Sequence, residues 1–311
     1  MNQDAAKQTD SAHAQCDAPE VSAPFKHIGV ITKPEAESVR ETLLVLFDYL
    51  AQRDANVLVE ECIPRSINSR FASASREEIS RQCDLAIVVG GDGTILSAVR
   101  AMAGANVPLM GINVGRLGFL ADISPDEMQQ SLDEMLAGNF RQEQRFLLEC
   151  EVMRDNQCIF HCDAFNDVVV HIRDVARMIE FETRINNTFV NHQRADGIVV
   201  STPTGSTAYA LSAGGPILHA TLSAITLVPI SPHTLSSRPI VVNADSQIDI
   251  LICNTKEGVA QVTGDGHLSH DVHVGDHIKI RRKSPCITLL HPQQHNYFEI
   301  LRAKLHWSEH S

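Results

Sequence analysis

The segment Gly90-Gly91-Asp92-Gly93-Thr94 combines residue types that bind phosphate with one residue that should repel it. Glycine lets the backbone approach an anion without a Cβ in the way, and unpaired N–H groups at a helix N-terminus attract phosphate. A carboxylate such as that of Asp92 opposes this attraction unless it holds a metal ion or accepts a proton. We therefore expect a phosphate-binding turn in which Asp92 has a separate chemical task.

Two polar segments further along the chain suggest a site for a polar ligand. Asn166-Asp167 directly precedes a valine-rich run, and taken alone the pair is typical of an ordinary turn at a strand start. Residues 201–207 carry five Ser or Thr hydroxyls in seven positions, at the start of the longer segment Thr202–Pro216. A helix cap needs only one hydroxyl, for which Thr204 or Ser206 is suited. The others, beside small residues, favour contacts with ribose and amide groups.

Two further segments are more typical of structural roles. Gly264-Asp265-Gly266-His267 resembles the first glycine segment but lacks a helical pattern after it, which predicts a β-turn with His267 near a ligand. Cys158, His161 and Cys162 are too few ligands for a four-coordinate zinc site, and no second pair follows at zinc-site spacing. We expect buried free thiols there, and surface positions for most of the histidines.

The pattern of the first half of the chain predicts the scaffold that carries the glycine segment. Short apolar runs alternate with amphipathic helical patterns, which is typical of a parallel sheet covered by helices. Ligands of such sheets bind beyond the carboxyl ends of the strands, where residues 90–94 lie and where a second glycine-spaced loop, Asn113–Leu120, begins. The predicted strands are 27–31, 56–60, 85–89 and 108–112, and the predicted helices are 39–50, 76–82, 95–102 and 126–137.

The character of the sequence changes after Phe140, where apolar residues alternate with period two. Many short strands with little helix between them predict an all-β, sandwich-like domain, and Asn186-Asn187 suits a hairpin turn. A last helix is expected at Asn296–Leu305. The predicted strands are 146–153, 159–164, 168–172, 178–185, 188–191, 198–201, 225–228, 240–242, 248–253, 259–263, 277–281 and 287–290.

Composition narrows the classes of partner. The net charge of −12 and the lack of a basic stripe argue against nucleic acid. No apolar run approaches the roughly 18–20 residues of a membrane helix. Residues 1–24 are polar and lack the apolar block of a secretory signal, so we expect a disordered tail and a cytoplasmic protein.

Together these segments resemble a known enzyme family. Residues 90–94 alone resemble a superfamily of kinases that includes NAD kinases, diacylglycerol and sphingosine kinases, and 6-phosphofructokinases. Four later segments in the same order make the chain similar to bacterial NAD kinases from about Lys26 onward. They are Asn113–Leu120, Asn166-Asp167, Arg194-Ala195-Asp196-Gly197 and Thr202–Pro216.

The resemblance implies transfer of the γ-phosphoryl group of ATP to the 2′-hydroxyl of the adenosine ribose of NAD. It implies that Asp92 accepts the proton of that hydroxyl, whereas Gly90, Gly91, Gly93 and Thr94 face the phosphate donor. The residues that it implies for NAD binding are Asp92, Gly93, Asn166, Asp167, Arg177, Arg194, Asp196, Thr207, Ala208, Tyr209, Ala210, Leu211, Ser212 and His267.

The resemblance also implies the domain organisation and the partners. An α/β domain with a parallel sheet is expected at residues 25–138, to which the last helix (residues 293–311) returns, and an NAD-binding β domain at residues 139–292. A divalent metal ion, expected to be Mg²⁺, arrives with ATP. The chain is expected to form a homo-oligomer, a dimer or tetramer, with neither nucleic acid nor a membrane as partner.

Two alternatives differ from this interpretation in testable ways. A lipid kinase that shares the glycine segment would need an apolar substrate channel in place of the polar residues 202–212. A non-catalytic NAD-binding regulator would be favoured by loss of Asp92, which is present. The choice between ATP and polyphosphate, the choice between NAD and NADH, feedback by NADP or NADPH, and the oligomer size stay open at this point.

Overall fold

The computed structural model describes residues 21–33, 37–115, 117–173, 178–255 and 259–307. A parallel sheet forms the first part of the chain, in the order β5-β4-β1-β2-β3. Its strands are β1 (His27–Thr32), β2 (Asn56–Glu60), β3 (Ala72–Ala74), β4 (Leu85–Val89) and β5 (Leu109–Ile112). The helices of this part are α1 (Glu37–Leu50), α2 (Arg76–Gln82), α3 (Asp92–Met102) and α4 (Met128–Leu136).

Apolar side chains on both faces of this sheet explain why helices cover both faces. All five residues of β4 are buried, and they divide between two hydrophobic clusters, one containing α1 and α4 and the other α2 and α3. The predicted strands and helices are confirmed in place and type. The added strand β3 was not predicted, because Ala-Ser-Ala has no apolar run to mark it.

The second part of the chain is β-rich, as predicted. Its strands are β6 (Phe140–Arg154), β7 (Gln157–Ala164), β8 (Asp167–Ile172), β9 (Ile179–Ile185), β10 (Thr188–Ala195), β11 (Gly197–Ser201), β12 (Ala224–Ile230), β13 (Ile240–Asn243), β14 (Ile248–Asn254), β15 (Ala260–Gly264), β16 (Leu268–Val272) and β17 (His277–Pro292). A six-stranded antiparallel sheet runs in the order β13-β12-β11-β8-β15-β16. It packs through one large apolar cluster against strands β6, β7, β9, β14 and β17.

Strand β17 joins the two parts, and it corrects one prediction. We expected separate strands at 277–281 and 287–290, but one strand runs through both, with an irregularity between Lys283 and Ile287. Its first half pairs with β14 and its end, at Leu289 and Leu290, pairs in parallel with β5. The parallel sheet and part of the β-rich region are therefore one eleven-stranded sheet, while the predicted domain limits stay predictions.

Local turn chemistry accounts for two further outcomes. Asn186 and Asn187 have φ angles of 50° and 62°, as a type I′ hairpin between β9 and β10 requires, which confirms that prediction. Helix α5 (Tyr209–Ser212) is a single short turn. Helix α6 (Tyr297–Leu305) begins where the Asn296 side chain accepts a hydrogen bond from the N–H of Phe298. It returns to the first part of the chain, because Lys304 Nζ lies 5.8 Å from the Phe119 ring centre. Among the residues that the structure describes, no helix is long and apolar enough to cross a membrane.

Candidate active site

The glycine segment forms a tight turn between β4 and α3. Gly90 has φ of 150°, and its N–H donates to the Ile112 carbonyl of the neighbouring strand at 2.9 Å. A Cβ on Gly90 would lie 2.5 Å from Thr94 Oγ1. A Cβ on Gly91 or Gly93 would have no described heavy atom within 4 Å, apart from the chain neighbours and, for Gly93, the backbone of its own helix. The turn is closed on its inner side and open around Gly91 and Gly93, which is the arrangement that an anion needs to reach the backbone.

Asp92 is held by the second glycine-spaced loop. Its carboxylate accepts hydrogen bonds from the N–H groups of Phe119 at 2.9 Å and of Leu120 at 3.0 Å. Gly118 lies so close that a Cβ there would overlap the carboxylate. The two loops predicted at adjacent strand ends therefore meet at one side chain. Each oxygen of Asp92 accepts one of these bonds and keeps further acceptor capacity.

Asp265 is an organising residue that sequence reasoning assigned only to a turn. The turn is confirmed, since Asp265 and Gly266 have φ angles of 49° and 66°. The fully buried carboxylate of Asp265 accepts hydrogen bonds from the N–H groups of Phe165 at 3.0 Å and Asn166 at 2.7 Å. It also forms an ion pair with Arg100 of α3 at 2.9 Å. The repeated Gly-Asp-Gly pattern was the available signal, whereas nothing in the sequence singled out Arg100.

Residues 201–207, called the hydroxyl-rich segment below, fold back on Asn166. The Asn166 carbonyl accepts the N–H of Thr202 at 2.9 Å, and the Thr202 hydroxyl donates to the Phe165 carbonyl at 2.7 Å. The Ser206 hydroxyl donates to the Pro203 carbonyl at 2.7 Å. These hydroxyls therefore satisfy buried backbone groups of a tight turn, as buried peptide groups require, although we expected all but one of the hydroxyls in this segment to face a ligand.

A cleft of about 510 Å³ opens beside these segments. Alternate residues of β8 and β15 form one wall, with Thr263 opposite Val169 and Gln261 opposite His171. The residues that line the cleft are Asn166, Asp167, Val169, His171, Ala208, Tyr209, Gln261, Thr263, Asp265 and Gly266. Sequence reasoning missed the wall residues, although period-two alternation from Asp167 places Val169 and His171 on the same face of the strand.

Four of the residues predicted to bind NAD meet in this cleft, namely Asn166, Asp167, Ala208 and Tyr209. The others predicted in this segment, Thr207, Ala210, Leu211 and Ser212, lie in the same short helical stretch. Within it, Ala210 is buried against Val169, Val199 and Val228.

The other predicted residues that the structure describes do not line the cleft, namely Asp92, Gly93, Arg194, Asp196 and His267. His267 is exposed beside it, with Nδ1 2.7 Å from the Asp265 carbonyl. Arg194 is exposed on β10, and half-buried Asp196 pairs through its backbone with Ile172 and Ile230. Arg177 lies outside the described residues.

The environment of Asp167 changes its acidity. Burial raises the pKa of the Asp167 carboxyl, and the nearby charge of Asp265 adds to the effect, giving a value of about 7. Only 5% of the residue is exposed. A ligand that donates a hydrogen bond to the ionised carboxylate would offset this penalty.

The structure corrects the expectation for Cys158 and places two histidines in the interior. Cys162 is a buried free thiol as expected and lies opposite Cys150, but Cys158 is exposed, because it lies beside the tight turn that joins β6 to β7. His291 and His295 are buried, with side chains 2% and 3% exposed. Their positions depend on the end of β17, and the sequence offered no spacing that distinguished them from surface histidines.

Comparison with known proteins identifies the family. Residues 28–140 match the model of the ATP-NAD kinase N-terminal domain, and residues 165–288 match that of the ATP-NAD kinase C-terminal domain. The chain is 46% identical over 288 residues to the NAD kinase of Nitrosococcus oceani, covering 92% of this chain and 98% of the relative. It is 49% identical over 286 residues to the NAD kinase of Chromohalobacter salexigens, with coverages of 92% and 98%.

Solved structures agree. Yeast NADH kinase complexed with NADH superposes with a TM-score of 0.85 at 26% identity, covering 93% of this chain and 90% of the other. An NAD kinase from Archaeoglobus fulgidus in complex with ATP gives a TM-score of 0.70 at 26% identity, with coverages of 89% and 99%. The two domain models, the bacterial relatives and the shared fold show that this chain belongs to the NAD kinase family.

Proposed function

We propose that the chain transfers the γ-phosphoryl group of ATP to the 2′-hydroxyl of the adenosine ribose of NAD, giving NADP. One observation carries this proposal beyond family membership. The Asp92 carboxylate is fixed by Phe119 and Leu120 beside the open backbone of Gly91 and Gly93. A proton acceptor thus stands beside a phosphate-binding turn.

Phosphoryl transfer has a loose transition state, so positioning and charge neutralisation contribute more than a strong base does. A carboxylate is a weak base for a hydroxyl group. We infer that Asp92 orients the 2′-hydroxyl and takes its proton late, while the backbone at Gly90, Gly91, Gly93 and Thr94 faces the donor phosphates. A divalent metal ion, Mg²⁺ in our proposal, would neutralise the phosphate charge, and the spare acceptor capacity of Asp92 fits it.

The cleft beside Asn166 is the proposed NAD site. Asn166 and Asp167 offer polar contacts to the ribose, and the exposed ring of Tyr209 offers an apolar face to the bound nucleotide. The ion pair between Arg100 and Asp265 ties α3, which starts at Asp92, to this cleft. Bound NADH in the yeast relative and bound ATP in the archaeal one support a site for each substrate.

Two features of the proposal concern the molecule as a whole. We propose a homo-oligomer, because Phe189 and Val190 are exposed on the edge strand β10, which also carries Arg194, and such an edge favours pairing with another chain. Arg177, Arg194, Asp196 and His267 stay proposed NAD contacts, some of them made across a subunit boundary. The cytoplasm, as the compartment in which this protein acts on ATP and NAD, stays a prediction.

A coupled assay tests the proposed reaction. Purified protein with Mg-ATP and NAD is followed by an NADP-dependent dehydrogenase, and we expect NADP to accumulate. Parallel reactions with polyphosphate and with NADH define the donor and the acceptor. Folded protein that forms no NADP with either donor contradicts the proposal, and phosphorylation of a lipid such as diacylglycerol would favour the alternative kinase.

A further inference from the structure

A buried polar cluster, formed by Asp122, Glu143, Arg145, His291 and His295, lies between the loop that holds Asp92 and the hydroxyl-rich segment. We propose that His291 and His295 are positioning residues that couple these two halves of the active site. The proposal rests on the proposed phosphoryl transfer, since it concerns how Asp92 is aligned with the bound acceptor. Neither histidine touches a substrate in this proposal.

The first half of the connection leads to Asp92. Asp122 lies two residues after Leu120, and the Leu120 N–H donates to the Asp92 carboxylate. Asp122 Oδ2 accepts hydrogen bonds from Nδ1 of His291 at 3.0 Å and from Nδ1 of His295 at 2.6 Å. The imidazole rings stack with centres 4.0 Å apart. The end of the loop that holds Asp92 is therefore fixed by two imidazoles, His291 on β17 and His295 just before α6.

The second half leads to the hydroxyl-rich segment. The Nε2 atoms of His291 and His295 face Glu143 at 3.9 and 3.8 Å. Glu143 pairs with Arg145 at 2.5 Å. Arg145 Nη1 in turn donates to Thr204 Oγ1 at 3.4 Å. Thr204 lies between Thr202 and Gly205, which both pack on Asn166.

A second connection starts at Tyr297, the first residue of helix α6. The Tyr297 hydroxyl, two residues after His295, donates to the Leu218 carbonyl at 3.1 Å. The Leu218 N–H donates to Ser206 Oγ at 3.0 Å. The segment from His291 to Tyr297 is therefore linked to the hydroxyl-rich segment by two separate routes, one through Glu143 and Arg145 and one through Leu218.

The burial of this cluster argues for a geometric role. The five side chains are each at most 10% exposed. Because burying charges carries a desolvation cost, such a cluster often stabilises a fold no more than apolar side chains of the same volume would. Within the described part of the chain, Asp122 Oδ1 and both imidazole Nε2 atoms have no hydrogen-bond partner. A cluster that is not optimised for stability, yet joins two substrate-binding segments, fits positioning better than core formation.

Substitution of His295 tests the first half of the connection. Asparagine places an N–H donor close to the position of Nδ1, whereas leucine fills the site without a donor. We expect His295→Leu to lower kcat at least tenfold with less than a twofold change in KM for ATP, and His295→Asn to recover kcat to within about threefold of the unsubstituted protein. His273→Leu, at an exposed histidine outside the cluster, is the matched control.

A double-mutant cycle tests the coupling without relying on one variant that could misfold. Asp122→Asn and Thr204→Val alter opposite ends of the chain of contacts, and kcat is measured for each and for the pair, with thermal unfolding as a check of folding. We expect the kcat of the double variant to be within twofold of the kcat of the less active single variant.

The outcomes separate the two proposals. Failure of the unsubstituted protein to form NADP would contradict the proposed function. Two results with an active unsubstituted enzyme would overturn the positioning role alone. One is a kcat of His295→Asn no higher than that of His295→Leu. The other is a double variant in which the kcat losses of Asp122→Asn and Thr204→Val multiply.

Discussion

Gly118 packs directly against the carboxylate of Asp92, because a Cβ on Gly118 would overlap Oδ1 and lie 3.2 Å from Oδ2. We predict that Gly118→Ala lowers kcat at least tenfold, since the added methyl group must displace the proposed proton acceptor from Phe119 and Leu120. The KM for NAD should change less than threefold, because the cleft beside Asn166 is not touched.

Steady-state kinetics with NAD and Mg-ATP measures this effect. Leu117→Ala is the matched control, since Leu117 is exposed in the same loop. A Gly118→Ala enzyme with kcat within twofold of the unsubstituted protein would show that the position of the Asp92 carboxylate does not limit turnover.

Asp92→Asn tests the proton-accepting role itself. The amide keeps the size of the side chain but has only one acceptor oxygen, so it cannot satisfy both backbone N–H groups that hold Asp92. We predict that NAD binding, measured by calorimetry, is retained within about fivefold while most of kcat is lost. A loss in turnover of less than tenfold would argue against the role assigned to Asp92.

Gly205→Ala tests the contact between the hydroxyl-rich segment and the cleft. A Cβ on Gly205 would collide with the Asn166 backbone, which cannot move aside as a flexible side chain can. We predict that the KM for NAD rises at least tenfold and that the melting temperature falls. Leu222→Ala, at an exposed position after the same segment, should leave both unchanged. An unaltered KM for Gly205→Ala would show that NAD binding does not depend on this contact.

The raised pKa of Asp167 predicts a pH-dependent stability. Because its pKa in the folded state is about 7 against an ordinary 3.8, the folded protein binds more protons at this site than the unfolded chain does between those values. The free energy of unfolding should therefore fall as pH rises through this window.

Asp167→Asn removes that dependence. We predict that the stability of the variant relative to the unsubstituted protein increases by roughly 2–3 kcal/mol between pH 5 and pH 8, measured by urea unfolding. The variant should also bind NAD more weakly. Parallel stability curves for the two proteins across this range would contradict the assignment.

Sequence alone determined the features that local chemistry encodes. The apolar run Leu85–Val89, the glycines after it and the helical pattern that follows predicted a strand, a turn and a helix, which the structure contains at β4 and α3. The pair Asn186-Asn187 predicted a hairpin because both residues tolerate positive φ. The order of polar segments was sufficient to recognise the family. Each of these signals lies within a few residues, where period and turn preference act directly.

Only the tertiary structure decided which distant residues meet. Arg100 and Asp265 are 165 positions apart, and their ion pair exists because β-sheet pairing carries the turn after β15 to the side of α3. Gly118 looked like one more loop glycine until the fold placed it on Asp92. Most of the histidines were expected at the surface, and nothing set His291 and His295 apart, yet the continuation of β17 into the parallel sheet buries both. Strand pairing and burial depend on the whole chain at once, so no local pattern could have revealed them.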